Sequence, residues 1–122
     1  MKKVALITGA SSGIGFETAH EMLQNNFVVY VGARRVERLK ELESQGAHII
    51  ELDVTDDKSM ISCIDTIIAN EGQIDILVNN AGIQYVSPIE KFPVEKWNTI
   101  LDINLSAVYH TTRLALPHMK QK

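Results

Sequence analysis

Four short runs of apolar, largely β-branched residues recur along the chain, and they limit its possible folds more than any other feature. The runs are Val4–Thr8, Val28–Val31, His48–Leu52 and Ile74–Val78. Each is nearly continuous in apolar residues, which is typical of strands covered on both faces, since an exposed face would carry alternating polar residues. Longer segments with a helical period separate the runs. This alternation predicts a parallel sheet with helices on both of its faces.

The segments between the predicted strands carry the apolar stripes of helices. One predicted helix covers residues 14–23, a second covers 60–68 behind the candidate cap Thr55-Asp56-Asp57, and a shorter one covers 36–44. A last helix spans 94–117, and its apolar positions cover more than one face, so it needs two packing partners. Right-handed crossovers then order the strands 3-2-1-4, which is the first half of a Rossmann-type, doubly wound α/β fold.

Length and composition bound the classes of function. With 122 residues, 45% of them hydrophobic and 22% charged, residues 1–122 are expected to form one domain with its own core. The net charge of -3 is small and the Lys and Arg residues are dispersed, so we expect a small-molecule partner rather than nucleic acid or a membrane. No apolar stretch approaches the roughly 20 residues of a membrane helix. Cys63 is the only cysteine, which predicts no metal site and fits a reducing cytoplasm.

A glycine-rich turn stands where the first strand gives way to the first helix. Gly9 at the strand's end would permit the tight turn, Gly13 would let the backbone approach a pyrophosphate, and Gly15 would let the helix pack against the strand. The free backbone N–H groups at the start of the helix would bind the negatively charged phosphates, and Ser11 and Ser12 would donate further hydrogen bonds. The alternative is a glycine turn that binds nothing. The candidates for dinucleotide binding here are Gly9, Ser11, Ser12, Gly13, Ile14 and Gly15.

The spacing of this turn and three later motifs resemble the short-chain dehydrogenase/reductase family. The turn reads Gly-x-x-x-Gly-x-Gly, and Asp53-Val54 follows the third strand. Asn79-Asn80-Ala81-Gly82 closes the fourth strand, and Asn104 lies in the following helix. The four motifs occur in the family's order, which favours the resemblance over chance.

The resemblance implies a role for each of these residues. Asp53 and the backbone amide of Val54 would hold the adenine ring, and the segment Asn80-Ala81-Gly82 would line the ribose side of the cofactor. Asn104 would be the asparagine of the family's Asn-Ser-Tyr-Lys catalytic group. Without the resemblance, Asp53 would be interpreted as a helix cap and Asn79-Asn80 as a polar turn.

The end of the second strand indicates which cofactor is bound. An acidic residue that accepts hydrogen bonds from the ribose hydroxyls of NAD is expected about 20 residues beyond the glycine turn. By the family's spacing, Ala33 occupies that position, so no carboxylate there repels a 2′-phosphate. Arg34 presents a planar fork that binds phosphate by charge-assisted hydrogen bonds. The sequence therefore predicts NADP, with NAD as the alternative; Arg34 and Arg35 could also simply open a solvated helix.

Residues 79–119 indicate a class of substrate. This stretch is similar to the bacterial 3-hydroxybutyrate dehydrogenases of the family, which implies that Gln84 helps to hold a substrate carboxylate. An exposed loop glutamine without a role is the other interpretation. The similarity also conflicts with the prediction of NADP, because those dehydrogenases use NAD.

The remaining catalytic residues of the resembled family do not match this sequence. Its serine on strand five and its Tyr-x-x-x-Lys pair find no counterpart, and Tyr109 with Arg113 copies only the spacing, on a different helix. We therefore expect a fold truncated before strand five that is inactive alone. The function classes are an oxidoreductase acting on a hydroxy or keto substrate, a non-catalytic dinucleotide-binding module, or a structural or engineered fragment.

The same truncation predicts self-association. Without a fifth strand, the edge of strand 74–78 carries unpaired backbone groups, and one apolar face of helix 94–117 is uncovered. We expect a homo-oligomer formed through these two elements.

Overall fold

The structure, a computed structural model, describes residues 2–10, 13–82 and 86–121, apart from the side chain of Arg38. Within these ranges a parallel sheet contains four strands, which are β1 Val4–Thr8, β2 Val28–Ala33, β3 His48–Glu51 and β4 Ile76–Val78. Their order is β3-β2-β1-β4, so β1 and β2 are the inner strands. The predicted parallel sheet and its order are confirmed.

β2 is longer than the sequence predicted. Its residues Gly32 and Ala33 pair with Ile50 and Glu51 of β3, and the N–H of Leu52 still donates to the Ala33 carbonyl at 3.0 Å. The glycine does not end the strand because it has a pairing partner on the neighbouring strand. β2 therefore carries the backbone directly to Arg34.

β4 is shorter than predicted, because it begins at Ile76 and not at Ile74. Ile74 is buried in the core, and the N–H of Asp75 donates to the Val4 carbonyl at 2.8 Å. The Asp75 carboxylate accepts the N–H of Val4 at 2.7 Å. Where β1 and β4 begin, the Asp75 side chain thus accepts a hydrogen bond that a backbone carbonyl accepts elsewhere in the sheet.

In the same described ranges, five α-helices connect and cover these strands. They are α1 Gly13–Gln24, α2 Lys40–Ser44, α3 Asp57–Glu71, α4 Val94–Leu101 and α5 Ala107–Lys120, with 3-10 turns at Val36–Leu39 and Ile89–Lys91. α3 has the predicted cap, since Oδ1 of Asp56 accepts the N–H of Lys58 at 3.0 Å. Gly72, with a φ of 77°, ends that helix in the left-handed conformation.

α4 and α5 form one continuous helix that contains a π-helical turn at Asp102–Ser106. In this turn the N–H of Ala107 donates to the carbonyl of Asp102, five residues earlier. The helix extends past its predicted end at Pro117 to Lys120. Proline removes only its own N–H, and the last turn still closes with a 3.3 Å bond from the Gln121 N–H to the His118 carbonyl.

The core has two parts, one on each face of the sheet. Successive residues of a strand point to opposite faces, so Leu6 of β1 packs towards α3 and α5, and Ile7 packs towards α1 and α2. Helices therefore cover both faces, as predicted. None of the helices within the described ranges has the length and apolar character that crossing a bilayer requires.

Candidate functional site

The residues that follow the four strands lie along one edge of the sheet, because all four strands run in the same direction. We call this set the carboxyl edge and define it as Gly9, Arg34, Asp53 and the segment Asn79–Gly82. The strand order places Asp53 beside Arg34, and Gly9 beside Asn79–Gly82. Motifs that are far apart in the sequence thus form one surface, which is where open α/β sheets bind ligands.

A buried threonine joins the glycine turn to the segment after β4. The hydroxyl oxygen of Thr8, a residue that is 1% exposed, accepts the backbone N–H groups of Asn80 and Ala81, each at 3.1 Å. In return, Nδ2 of Asn80 donates to the Gly9 carbonyl at 2.8 Å. The glycine turn and the segment after β4 are therefore one hydrogen-bonded unit.

Two glycines of the turn are required by close packing. Gly9 has a φ of 70°, and a Cβ there would lie 2.7 Å from the Cα of Ala81. A Cβ on Gly15 would contact Nδ2 of Asn80 and lie 3.0 Å from the Cα of Ala10. Gly15 thus lets α1 approach the turn and Asn80, where the sequence had predicted helix packing on a strand.

Gly13 differs from these two glycines in its surroundings. It also has a left-handed φ, of 65°, but no atom of the described residues lies within 4 Å of the position that a Cβ would take. The backbone at the start of α1 is therefore open on this side, as the predicted approach of a phosphate requires. Ile14 next to it is 81% exposed. Ser11 and Ser12 lie outside the described residues.

Asp53 is held by its neighbours as an ionised hydrogen-bond acceptor. Its Oδ1 accepts the hydroxyl of Thr55 at 2.6 Å and the N–H of Thr55 at 2.9 Å. These two bonds, with a smaller contribution from the positive charge of Arg34, hold the pKa of Asp53 below its ordinary value although partial burial opposes them. The cap of α3 is Asp56, so Asp53 is not the cap that its position alone suggested. Val54 beside it is buried.

The segment after β2 presents two exposed cations. Ala33 is buried, whereas Arg34 and Arg35 are exposed. The positive charge of Arg34 contributes to the lowered pKa of the neighbouring Asp53 carboxyl. Arg34 is therefore the charged donor that the structure brings to this part of the edge.

The polar residues after β4 are also bonded to the long helix. Oδ1 of Asn79 accepts the hydroxyl of Thr111 at 2.6 Å, and Nδ2 of Asn79 lies 3.4 Å from Oγ1 of Thr112. Asn104 lies in the π-helical turn, and a Cβ on Gly82 would be 3.3 Å from its Oδ1. Asn104 therefore reaches the carboxyl edge. Gln84 lies outside the described residues.

The other side chains with acid–base or nucleophilic groups lie in surroundings that are typical of a structural role. Tyr109 is exposed on α5, and Nε of Arg113 lies 3.3 Å from Nδ1 of His110. His20 lies 2.6 Å from Oε1 of Gln45. Burial raises the pKa of the Cys63 thiol to about 12, which leaves it unreactive. Over the described part of the chain, no group of three or more His, Cys, Asp or Glu side chains is arranged to hold a metal ion.

Sequence reasoning missed three residues that shape the edge. They are Thr8, Thr111 and Gly32; the carbonyl of Gly32 accepts the Gly9 N–H at 2.8 Å, and a Cβ on Gly32 would lie 2.6 Å from Cδ2 of Leu52. A polar residue in an otherwise apolar strand or helix stripe is a signal that could have found the two threonines. The role of Gly32 depends on tertiary packing alone.

Comparison with known proteins agrees with this geometry. The model of the short chain dehydrogenase family matches residues 3–122. D-beta-hydroxybutyrate dehydrogenase of Cupriavidus necator is 41% identical over 126 residues, which cover 98% of this chain and 49% of that protein. The chain spans about half the length of the curated relatives it matches.

Two solved structures have the same fold over nearly the whole chain. A short-chain dehydrogenase from Streptomyces avermitilis aligns with a TM-score of 0.95 and 33% identity, over 99% of this chain and 46% of that one. An alcohol dehydrogenase from Thermococcus sibiricus, complexed with 5-hydroxy-NADP, aligns with a TM-score of 0.91 and 30% identity, over 99% of this chain and 55% of that one. The fold, the ordered motifs and the family match together show that the chain belongs to the short chain dehydrogenase family.

Proposed function

We propose that this chain binds NADP(H) and forms the cofactor-binding half of an oxidoreductase that transfers hydride between a nicotinamide and a small hydroxy or keto compound. The observation that carries the proposal is the carboxyl edge, where the glycine turn and the segment after β4 are hydrogen-bonded into one unit. Membership of the family supports an oxidoreductase that uses a nicotinamide dinucleotide. When bound, the dinucleotide supplies the hydride or accepts it.

The residues present fit such a cofactor. Gly13 leaves the start of α1 open, so backbone N–H groups and the helix dipole there would bind the pyrophosphate. The ionised carboxylate of Asp53 would accept a hydrogen bond from the amino group of adenine, beside the Val54 amide. Asn80, Ala81 and Gly82 would line the ribose side. In this proposal Ser11 and Ser12 add donors to the phosphates.

The preference for NADP over NAD rests on the end of β2. Ala33 offers only a methyl group, so no carboxylate at this position would repel a 2′-phosphate. Arg34 is exposed and would bind that phosphate through its guanidinium fork. The Thermococcus sibiricus relative is complexed with 5-hydroxy-NADP, and this supports the choice of NADP.

We expect Arg34→Ala to weaken NADPH binding by about 10- to 100-fold, because a charge-assisted hydrogen-bonded pair is lost, and to leave NADH binding nearly unchanged. Titration calorimetry with both cofactors measures this on the 122-residue chain. Arg35→Ala is the matched control, since it removes a neighbouring exposed arginine, and it should change neither affinity by more than about twofold. Equal affinities of the unaltered chain for NADPH and NADH would contradict the proposed preference.

The proposed substrate is 3-hydroxybutyrate or a similar hydroxy or keto acid. A D-beta-hydroxybutyrate dehydrogenase among the relatives supports this class, and Gln84 is proposed to hold the substrate carboxylate. Asn104 is proposed as the catalytic asparagine, since it approaches Gly82 at the carboxyl edge.

The sequence contains no Tyr-x-x-x-Lys pair, so we expect residues 1–122 by themselves to bind dinucleotide without catalysing hydride transfer. A cytoplasmic location is part of the same proposal, in agreement with the free thiol of Cys63.

Homo-oligomerisation is proposed through the long helix and the edge of β4. Large apolar side chains are exposed along this helix, among them Trp97, Leu105 and Tyr109. β4 is the last strand of the described sheet on its side, so its outer backbone groups face away from the sheet. Apolar surface of this kind favours association with a second chain.

We expect the chain to sediment as a dimer or a larger species, and we expect Leu105→Glu to shift it towards a monomer, because a charge then opposes burial of the helix face. Analytical ultracentrifugation over a range of concentrations measures both. Ile61→Glu is the control, since Ile61 is an exposed apolar residue of α3, which is not one of the two elements of the proposed interface. A monomeric unaltered chain would show that the interface is wrong.

A further inference from the structure

The described part of the chain buries two polar side chains, those of Thr8 and Thr111, and both are bonded to the segment after β4. Thr8 holds the backbone of Asn80 and Ala81 from β1. Thr111 holds the side chain of Asn79 from α5. The segment that is proposed to line the cofactor's ribose side is therefore fixed from two directions.

The position of Thr111 on α5 is unusual for a polar residue. It lies in a buried stripe with Ala107 and Ala115, at the four-residue spacing that places side chains on one helix face. These small side chains let the helix approach the sheet closely. Thr111 is the polar member of the stripe, and its hydroxyl lies where β4 ends.

The bond to Asn79 is not needed to satisfy this hydroxyl. Oγ1 of Thr111 also lies 2.9 Å from the carbonyl of Ala107, one helical turn earlier. Thr99 on α4 makes the equivalent bond to the Glu95 carbonyl at 2.8 Å and needs no strand for it. The contact from Thr111 to Asn79 is nevertheless the shorter one, at 2.6 Å. The local bond to the Ala107 carbonyl already satisfies the Thr111 hydroxyl. The bond to Asn79 therefore has a different effect, which is to fix the orientation of α5 against the end of β4.

That orientation also sets the place of Asn104. The π-helical turn with Asn104 is continuous with α5, so a rotation or shift of α5 moves Asn104 relative to Gly82. One bond thus aligns the segment Asn79–Gly82 with Asn104, the proposed catalytic asparagine, and hydride transfer would take place at the nicotinamide end of a dinucleotide. Arg34 and Asp53 lie at the other end of the carboxyl edge, after β2 and β3, which stand on the opposite side of β1 from β4.

We propose that Thr111 is a positioning residue that acts through Asn79 to align the segment Asn79–Gly82 and Asn104 for the nicotinamide half of the dinucleotide. This inference rests on the proposed function, because it needs a bound dinucleotide. It assigns no direct contact between Thr111 and the cofactor. Loss of the bond should weaken binding of the nicotinamide half and spare the adenosine half.

Two probes separate the halves: NADPH, and adenosine 2′,5′-bisphosphate, which carries the adenosine end and the 2′-phosphate alone. Titration calorimetry on the 122-residue chain should show Thr111→Val binding NADPH about tenfold more weakly, while the affinity for the bisphosphate stays within about twofold. Thr111→Ser keeps the hydroxyl and should restore NADPH binding. Thr99→Val removes a threonine with the same local helix bond and should change neither affinity.

Asn79→Ala removes the other partner at an exposed position, so it tests the proposal even if Thr111→Val does not fold. It should give the same selective loss, and the double variant should be no weaker than either single variant. Equal losses for both probes, or no loss, in Thr111→Val or Asn79→Ala would overturn the positioning role. An unaltered chain that binds neither probe would instead overturn the proposed function, and this inference with it.

Discussion

Gly15→Val is expected to lower the free energy of unfolding by about 3 kcal/mol, through overpacking and the loss of a buried hydrogen bond. The added side chain would meet Nδ2 of Asn80 and the Cα of Ala10, which lies 3.0 Å from the Cβ position. Asn80 could yield only by giving up its 2.8 Å bond to the Gly9 carbonyl. The damage would therefore reach the turn and the segment after β4 together, and dinucleotide binding would be lost as well.

Gly13→Val is the matched comparison on the same turn. In the described part of the chain nothing lies within 4 Å of its Cβ position, so the expected loss of stability is the cost of the left-handed backbone, about 1–2 kcal/mol. Binding should nevertheless be abolished, because the side chain fills the space proposed for the pyrophosphate. Thermal melts alongside cofactor titration measure both quantities. Normal binding by Gly13→Val would mean that the turn has no part in holding a cofactor.

Thr8→Val is expected to destabilise the fold by about 2–4 kcal/mol, since it leaves the N–H groups of Asn80 and Ala81 without their acceptor. Valine has nearly the shape of threonine, so the substitution creates no cavity. The loss of stability therefore measures the contribution of the hydrogen bonds. Denaturant unfolding, with the slope checked for constancy, measures the change.

Two further variants test the explanation for Thr8. Thr8→Ser keeps the oxygen and loses one methyl group, so it should cost only about 1 kcal/mol. Thr66→Val removes an exposed helix threonine whose hydroxyl donates to the Ser62 carbonyl, and it should lie within about 0.5 kcal/mol of the unaltered chain. If Thr8→Val is as stable as Thr66→Val, the two backbone bonds contribute little.

Local pattern predicted most of the fold because strand and helix periods differ clearly in this sequence. The four apolar runs became the four strands in the predicted order, and the predicted cap region of α3 contains the cap Asp56. The errors occurred at the ends of strands and of the last helix. Gly32 and Ala33 remain in β2 because β3 pairs with them, and pairing across a sheet is not visible in a single run of residues.

The sequence predicted which of the described residues gather at the carboxyl edge, but not the contacts between them. Glycine spacing placed Gly9, Gly13 and Gly15 at the turn, yet Gly9 and Gly15 are required by contacts with Ala81 and Asn80, about seventy residues later in the sequence. Likewise, the local sequence does not predict the π-helical turn around Asn104. Such features depend on which helices and strands pack against each other. The hydrophobic period of a sequence indicates only which face of each helix or strand is apolar.

The bonds that shape the glycine turn have a consequence for the order of folding. Thr8 and Asn80 are 72 residues apart, and Asn80 and Gly9 are 71 apart. Such long loops close late and slowly, whereas α1 needs only local contacts. During synthesis, β1 and α1 emerge before β4, and they cannot adopt the final turn until residues beyond 80 leave the ribosome. The earliest-made segment of the carboxyl edge is thus among the last to reach its final conformation, and β1 must keep one side open for β4 until then.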